Sequence, residues 1–524
     1  MLPLCRQGCN LAGKKMINKT YCATCVGIDA VTVTVETDLS QGIGIHLVGL
    51  PDSAVRESLL RVVTALTAYG FRIPGKKMVF NLAPADIRKE GSAYDLAIAL
   101  GLLAVSEQAY LPRLADYIVM GELSLDGRVR SVPGVLPVAV HAAATGFKGC
   151  IFPADSAREA ADMTGIDIYG VNNLAEAIEV LSDDVDVSRL LVHPVAVERT
   201  QPRHINDFCD VKGQLLARRG LEIAAAGGHS CLLVGSPGSG KTMMASCLPS
   251  ILPPMTREES IETSKIYSVA GRRPGSEGLM RERPFRTPHH SASLVSLIGG
   301  GSSASPGEIS LAHNGVLYLD EMAQFPKALL DALRQPVEDG RVTISRAKYK
   351  VEYPARFMLV ASMNPCPCGY FGDESGRCNC TPTQVRNYMS RISGPMMDRL
   401  DIQIQVRAVS AEELTSSAKA EPSALVAQRV VAARKIQTER FAGSGIFTNS
   451  QMNARMTGEF CRIGAAEKKF LLEVIDRLNL SARAYGRILK LARTIADLDG
   501  SGEICLKHIA EAVQYRNLDR GGAF

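Results

Sequence analysis

The eight residues Gly235-Ser236-Pro237-Gly238-Ser239-Gly240-Lys241-Thr242 constrain this chain more than any other stretch. They fit G-x-x-x-x-G-K-[ST], and they lie between an apolar run, Cys231 to Val234, and a helix-compatible run that starts at Met243. A strand, a glycine-rich turn and a helix in that order form a phosphate cradle. The glycines permit positive φ and close backbone approach, so successive N–H groups can face phosphate oxygens while the helix N-terminus adds its dipole. Lys241 then neutralises β/γ-phosphate charge. Thr242 offers its hydroxyl to Mg2+, a hard cation that favours oxygen. The bland alternative is a Gly/Ser turn with a surface lysine, and the flanking strand and helix argue against it. ATP and Mg2+ on an α/β core are the expectation.

Further along, Gly315 to Leu319 is an apolar strand ending in Asp320 and Glu321. Asp320 suits Mg2+ binding, and Glu321 suits polarising the attacking water. Met358 to Ala361 reads as a third strand leading to Asn364, whose amide is placed to orient water or the γ-phosphate. An asparagine before Pro365 also fits a plain Asx-turn. Next, Cys366, Cys368, Cys378 and Cys380 give C-x-C-x9-C-x-C around a Gly-rich turn. Four thiolates on two tight turns can approach the tetrahedron that zinc favours, although C-x2-C is the commoner spacing. Four reduced cysteines in a loop are the alternative.

Composition bounds the rest. At roughly 150 residues per domain, 524 residues leave room for two to four domains. Hydrophobic residues make up 46%, charged residues 22%, and 59 Lys+Arg against 54 Asp+Glu leave +5, which excludes wholesale disorder and leaves nucleic acid undecided. The longest nearly uncharged apolar stretch, Leu96 to Val105, is about half of a membrane span. Met1 to Thr20 has no apolar h-region, so a cytoplasmic protein is expected and its fourteen cysteines read as thiols or metal ligands. Before residue 200, strand-like runs (Val31 to Val35, Ile43 to Val48, Met78 to Leu82, Tyr117 to Met120, Gly149 to Phe152) alternate with helical ones (Ser53 to Tyr69, Tyr94 to Val105, Val135 to Ala144). After Asp401 the pattern is almost wholly helical: Ser423 to Phe441, Ala465 to Leu478, Ser481 to Leu498 and Leu506 to Tyr515.

Several stretches together resemble the magnesium-chelatase-like AAA+ ATPases of the YifB/ComM group. They are Asp210-Val211-Lys212-Gly213-Gln214, Arg286-Thr287-Pro288-His289-His290, Pro306 to His313, Asn364-Pro365-Cys366 and Ala492 to Leu498. Upstream, Gly27 to Ala30, Val48 to Asp52 and Asn81 to Asp86 are similar to the group's N-terminal domain. The resemblance spans about residues 16 to 517 and implies the following division. Residues 1-15 form an extension of uncertain status, with Met16 at the usual start; residues 16-185 form a domain similar in fold to the Lon protease domain. A linker covers 186-205, an AAA+ core 206-405 with the Cys-rich insert 366-380, and a helical lid 406-524. The resemblance assigns Arg399 as an arginine finger acting on a neighbouring subunit and Arg483 as second sensor, with Arg487 a competing choice. It further implies a homo-hexamer working on single-stranded or branched DNA, by branch migration or helicase action in recombination or natural transformation.

Two other functions compete. A metal-chelatase ATPase subunit has a similar core, but the extra N-terminal domain and the Cys insert oppose it. An ATP-dependent protease needs a Ser-Lys dyad, yet Ala93 stands at the nucleophile position, Ser92 is one residue early, and Pro133 to Ala139 contains no lysine. A scaffold or partner-binding role for the first domain, with the partner unknown, is the better reading. Cys5, Cys9, Cys22 and Cys25 are a further set of thiols, but the resemblance places Cys22 and Cys25 at the entry to the group's first strand, so no metal site is expected there. Finally, Arg341 to Tyr353 alternates like a β-hairpin whose turn falls near Ser345 to Lys348, resembling the hairpin that related ring motors project into their pore. Arg346, Lys348 and Lys350 then form a basic path for a phosphate backbone, with Arg281 to His290 as a second basic segment. A solvated edge hairpin guarded by its lysines is the alternative.

Overall fold

The computed structural model describes residues 17–183, 185–194, 206–273, 278–301, 304–346, 349–373, 376–409, 420–478 and 481–516. Among these, no helix is long and apolar enough to cross a membrane. The N-terminal part is built on nine strands: β1 Asn18–Val26, β2 Asp29–Ser40, β3 Gly44–Val48, β4 Lys77–Ala83, β5 Tyr117–Val119, the short pair β6 Glu122–Leu123 and β7 Val129–Arg130, β8 Gly149–Pro153 and β9 Asp167–Val171. Seven of them form one sheet in the order β3-β4-β2-β1-β5-β8-β9. Helix Asp95–Val105 is apolar on every side, and it is buried on every side from Asp95 to Leu103, which satisfies its composition. Asp95 is tolerated there because Arg61 forks onto it at 2.7 and 3.1 Å and Leu123 N donates to it.

No Ser-Lys pair forms in this domain among the described residues. Ser92 donates its hydroxyl to Glu122. The buried Lys89 ammonium donates to the Pro84 and Ile87 carbonyls. Pro133 to Ala139, the stretch without a lysine, leads into and begins the helix Val135–Thr145. The serine therefore faces a carboxylate rather than an amine.

The second unit carries β10 Cys231–Gly235, β11 Phe285–Arg286, β12 Gly299–Gly300, β13 Ser305–Pro306, β14 Val316–Leu319, β15 Arg341–Arg346, β16 Tyr349–Pro354, β17 Met358–Met363 and β18 Ile402–Val406. Its main sheet has the order β11-β14-β17-β10-β18 and is parallel throughout. Both faces of β10, β14 and β17 are covered, so these three strands are buried along their whole length and read as near-continuous apolar runs, whereas β18 at the edge alternates Ile402, Gln403, Ile404, Gln405, Val406. Strands β15 and β16 pair antiparallel as the expected hairpin, with Arg346 opposite Tyr349.

The helical C-terminal part, with helices Ser423–Arg440, Ala454–Phe460, Ala465–Leu478, Ala482–Leu498 and Leu506–Gln514, does not enclose a core of its own. Val430, Leu491, Ile495, Ile509 and Tyr515 share one buried cluster with Cys231, Leu233, Val316 and Ile404 of the sheet. Gln403 N donates to Tyr515 O at 2.8 Å, so the end of helix Leu506–Gln514 covers the outer edge of β18.

The two units meet along helix Arg257–Val269, whose start is fixed by a capping box between Thr256 and Glu259. Lys265 pairs with Asp29 at 2.6 Å, Gly134 N donates to Ser268 O, and Leu279 N donates to Asp162. Gly27, at φ +67°, turns β1 into β2, and a Cβ there would lie 2.9 Å from Glu352 O of the hairpin.

Candidate nucleotide site

The three main-sheet strands that lead into site residues, β10, β14 and β17, present them at the same, carboxyl-terminal, edge. That is where ligands bind in open parallel sheets. The loop after β10 turns through Gly238 at φ +77° and Gly240 at φ +87° into helix Lys241–Ser246, conformations in which any other residue is strained. Lys241 Nζ donates to Gly235 O at 2.8 Å, Ser236 O at 2.9 Å and Asn364 Oδ1 at 3.3 Å, so the ammonium sits over the cradle. Burial lowers its pKa, against the pull of Asp320 and Glu321.

Thr242 Oγ1 donates to Asp320 Oδ2 at 3.2 Å, which places the two expected Mg2+ ligands side by side. Asp320 also accepts from Tyr318 OH, Ser362 Oγ and the Glu321 N–H. Burial works against its charge, but the bonds from Ser362, Tyr318, Thr242 and Glu321 outweigh it and hold the carboxyl below the usual range. The exposed Glu321 sits at φ +50°, a left-handed conformation costly for a non-glycine and fixed here by its N–H bonds to Asp320 and to Ser362. The loop, the hydroxyl and the carboxylate thus fit a magnesium nucleotide, with Gly235 to Thr242 around the phosphates and Asp320 beside the cation. Sequence reading passed over Ser362 and Tyr318; both lie inside apolar strands, where a hydroxyl reads as a strand residue.

Arg399 lies elsewhere. β18 pairs with β10 from Cys231↔Ile402 to Gly235↔Val406, so Arg399 stands beyond the amino edge, about 13 Å away by strand rise. It faces a cleft of about 600 Å3 lined also by Glu338, Asp401, Arg487 and Lys490. Its guanidinium donates to Arg334 O at 3.0 Å and Pro395 O at 2.6 Å and pairs with Glu338 at 2.7 Å. Arg487 enters that cleft and binds Asp401 at 3.1 Å, whereas Arg483, one turn earlier, is exposed. Neither Arg399 nor Arg487 is at the same chain's phosphate loop.

The four insert cysteines converge. Sγ separations are 3.2 Å for Cys366–Cys368, 3.8 Å for Cys366–Cys378 and 3.6 Å for Cys368–Cys378, and all four sulfurs lie within 4.8 Å of one another. A tetrahedron with Zn–S bonds of about 2.3 Å has sulfur edges of about 3.8 Å, so the cluster fits zinc. Gly369, at φ +87°, presses on the phosphate loop; a Cβ there would lie 2.7 Å from Pro237 Cδ.

Of the hairpin residues, Lys350 lies on the exposed face, while Lys348 and the Arg346 side chain lie outside the described residues. Val342, Ile344, Val351 and Tyr353 form the buried face. The second basic segment is not a free cationic surface: Arg283 forks onto Glu259, Arg286 onto Glu308, and Arg281 reaches Asp162. Their charge serves packing between elements.

The chain matches the family described as Magnesium chelatase, subunit ChlI, over residues 207–414. It matches Subunit ChlI of Mg-chelatase over 35–156 and Magnesium chelatase, subunit ChlI C-terminal, over 420–516. It is 42% identical to Uncharacterized protein YifB of Escherichia coli over 498 residues, 94% of this chain and 96% of the relative. It is 41% identical to Competence protein ComM of Haemophilus influenzae over 509 residues, 95% and 97% of the two chains. Similarity to the Magnesium-chelatase 67 kDa subunit of Heliobacterium mobile is 25% over 195 residues, 32% of this chain and 29% of that one.

Proposed function

Because the chain belongs to the magnesium-chelatase-like AAA+ family that includes YifB and ComM, we propose that it is an ATP-hydrolysing ring motor acting on DNA in the cytoplasm. The observation that carries the reading is the split of the site. The phosphate loop, Asp320, Glu321 and Asn364 stand at one edge of the sheet, and Arg399 with Arg487 stand at the other. A transferring phosphoryl group needs cationic stabilisation that the loop alone does not complete, so the second half comes from a neighbouring copy, in a homo-hexameric ring.

A bound Mg2+ would supply positive charge against the phosphates; the remaining work belongs to the chain. Thr242 and Asp320 hold the cation, Lys241 and the loop N–H groups hold the phosphates, and Asn364 and Glu321 orient and deprotonate water. Cys366, Cys368, Cys378 and Cys380 would hold zinc, which would stiffen the segment that follows Asn364 at a subunit interface. Full-length similarity to a competence protein supports DNA as the track, with branch migration or helicase action during recombination or transformation. The hairpin β15–β16, with Arg346, Lys348 and Lys350, is the contact, and a protein partner occupies the first domain.

ATP hydrolysis measured with single-stranded, duplex and forked DNA tests the reading. DNA is expected to raise turnover several-fold. A metal-chelatase subunit, which the partial likeness to the 67 kDa subunit favours, predicts hydrolysis indifferent to every DNA.

A further inference from the structure

The cleft that holds Arg399 is organised by a carboxylate that the phosphate chemistry does not itself require. Asp401 stands two residues after Arg399, and its N–H donates to Ser230 O at 3.0 Å. Its Oδ2 lies 3.1 Å from His229 Nδ1, and its Oδ1 accepts from Arg487 Nη1 at 3.1 Å. His229 is fully buried and reaches across with Nε2 to Thr494 Oγ1 at 2.8 Å, where Asn449 also donates. A Cβ at Gly227 would lie 2.3 Å from His229 Nε2 and 2.5 Å from Thr494 Oγ1, so only glycine leaves the imidazole room to cross. Burial opposes the charge on Asp401, but the His229 bond and the cations Arg487 and Lys490 overcome it and keep the carboxyl well below its ordinary range. One charged group therefore ties together the turn into β10, the turn into β18 beside Arg399, and helix Ala482–Leu498 with Arg487 and Thr494.

We propose that Asp401 is a positioning residue for hydrolysis in the neighbouring subunit: it locks the strand behind Arg399 to the helix behind Arg487, so that both guanidiniums reach the partner's terminal phosphate as one body. The proposal rests on the reading of Arg399 as a group acting on a neighbour's nucleotide. Misplacing such a cation by about 1 Å costs on the order of 100-fold in rate. ATP affinity depends instead on the same chain's phosphate loop, at the far edge of the sheet.

Asp401→Asn keeps the shape and removes the charge. Its ATP affinity is expected to match wild type, while kcat falls about 10- to 100-fold at nearly constant KM. Mixed rings separate positioning from general damage. Subunits carrying Asp401→Asn should regain turnover with Glu321→Gln subunits, since each supplies the half that the other lacks, and should regain none with Arg399→Ala subunits. Thr494→Val, which cuts the same link from the lid side, should sort identically with a smaller loss. Wild-type kcat in Asp401→Asn, loss of nucleotide binding, or recovery with Arg399→Ala instead of Glu321→Gln overturns the proposal. The control mixture of Arg399→Ala with Glu321→Gln tests the underlying reading: if it stays inactive at every ratio, the trans site itself is wrong and Asp401's role goes with it. If it recovers while Asp401→Asn gains nothing from Glu321→Gln, only Asp401's role is lost.

Discussion

At the residue scale, the hydrogen bonds of the nucleotide site separate two duties. Lys241 is the cation over the phosphate cradle, and Glu321 is an exposed carboxylate whose backbone, not its side chain, is tied down. Lys241→Ala is therefore expected to lose ATP binding by at least about 100-fold, since a charge-assisted contact disappears from a partly desolvated loop. Glu321→Gln should bind ATP normally and turn it over about 100-fold or more slowly, the range a general base supplies. Titration calorimetry and steady-state hydrolysis on the two variants check this, and equal loss of binding in both defeats the division. The motif made these residues legible. It did not disclose Ser362 and Tyr318, which hold Asp320 charged, because a lone hydroxyl in an apolar strand carries no positional signature until the neighbouring strand is paired.

Elements carry the next level of argument. The Cys insert packs through Gly369 on Pro237, so its order and the order of the phosphate loop are coupled. Protein purified without chelator should hold about one zinc per chain; Cys366→Ser with Cys378→Ser should lose it and weaken nucleotide binding, as elemental analysis and a binding titration would read. The hairpin presents Lys350 on its open face while Val342, Ile344, Val351 and Tyr353 anchor the other. Changing Arg346 and Lys350 to Ala should weaken DNA binding, with the slope of log affinity against log salt shallower by about 1 for each phosphate no longer neutralised. An unchanged slope would remove the hairpin from the DNA path. Periodicity foretold this hairpin and four helices after Asp401 nearly to their ends, but neither the short helix Ala454–Phe460 nor the strand Ile402–Val406. What it missed was their relation to the sheet. Val430, Leu491 and Ile495 look like the core of a separate bundle, because amphipathic spacing says which face is buried and nothing about what covers it.

At the scale of the whole molecule, the junction between the two units holds a group that titrates near neutrality. Glu159 is buried beside Ser268 and Arg273; burial pushes its carboxyl up to about 7, against the hydrogen bond of the one and the charge of the other. Because the folded value lies above the unfolded one, this residue costs nothing below about pH 4.5. Its cost grows as the unfolded chain ionises first, and it is complete above about pH 7, at roughly 3 kcal/mol or less. Glu159→Gln should melt with wild type at pH 4.5 and several degrees higher at pH 8, by scanning calorimetry; a gap independent of pH would exclude this titration. The shared core has a further result during synthesis. The N-terminal sheet is complete by Val171, whereas the nucleotide sheet stays open along one face until Ile509, Ala512 and Tyr515 emerge. A ribosome making this chain therefore carries a finished first unit in front of a long stretch of exposed aliphatic strands, and chaperone demand falls on the second unit alone until its closing helix leaves the exit tunnel.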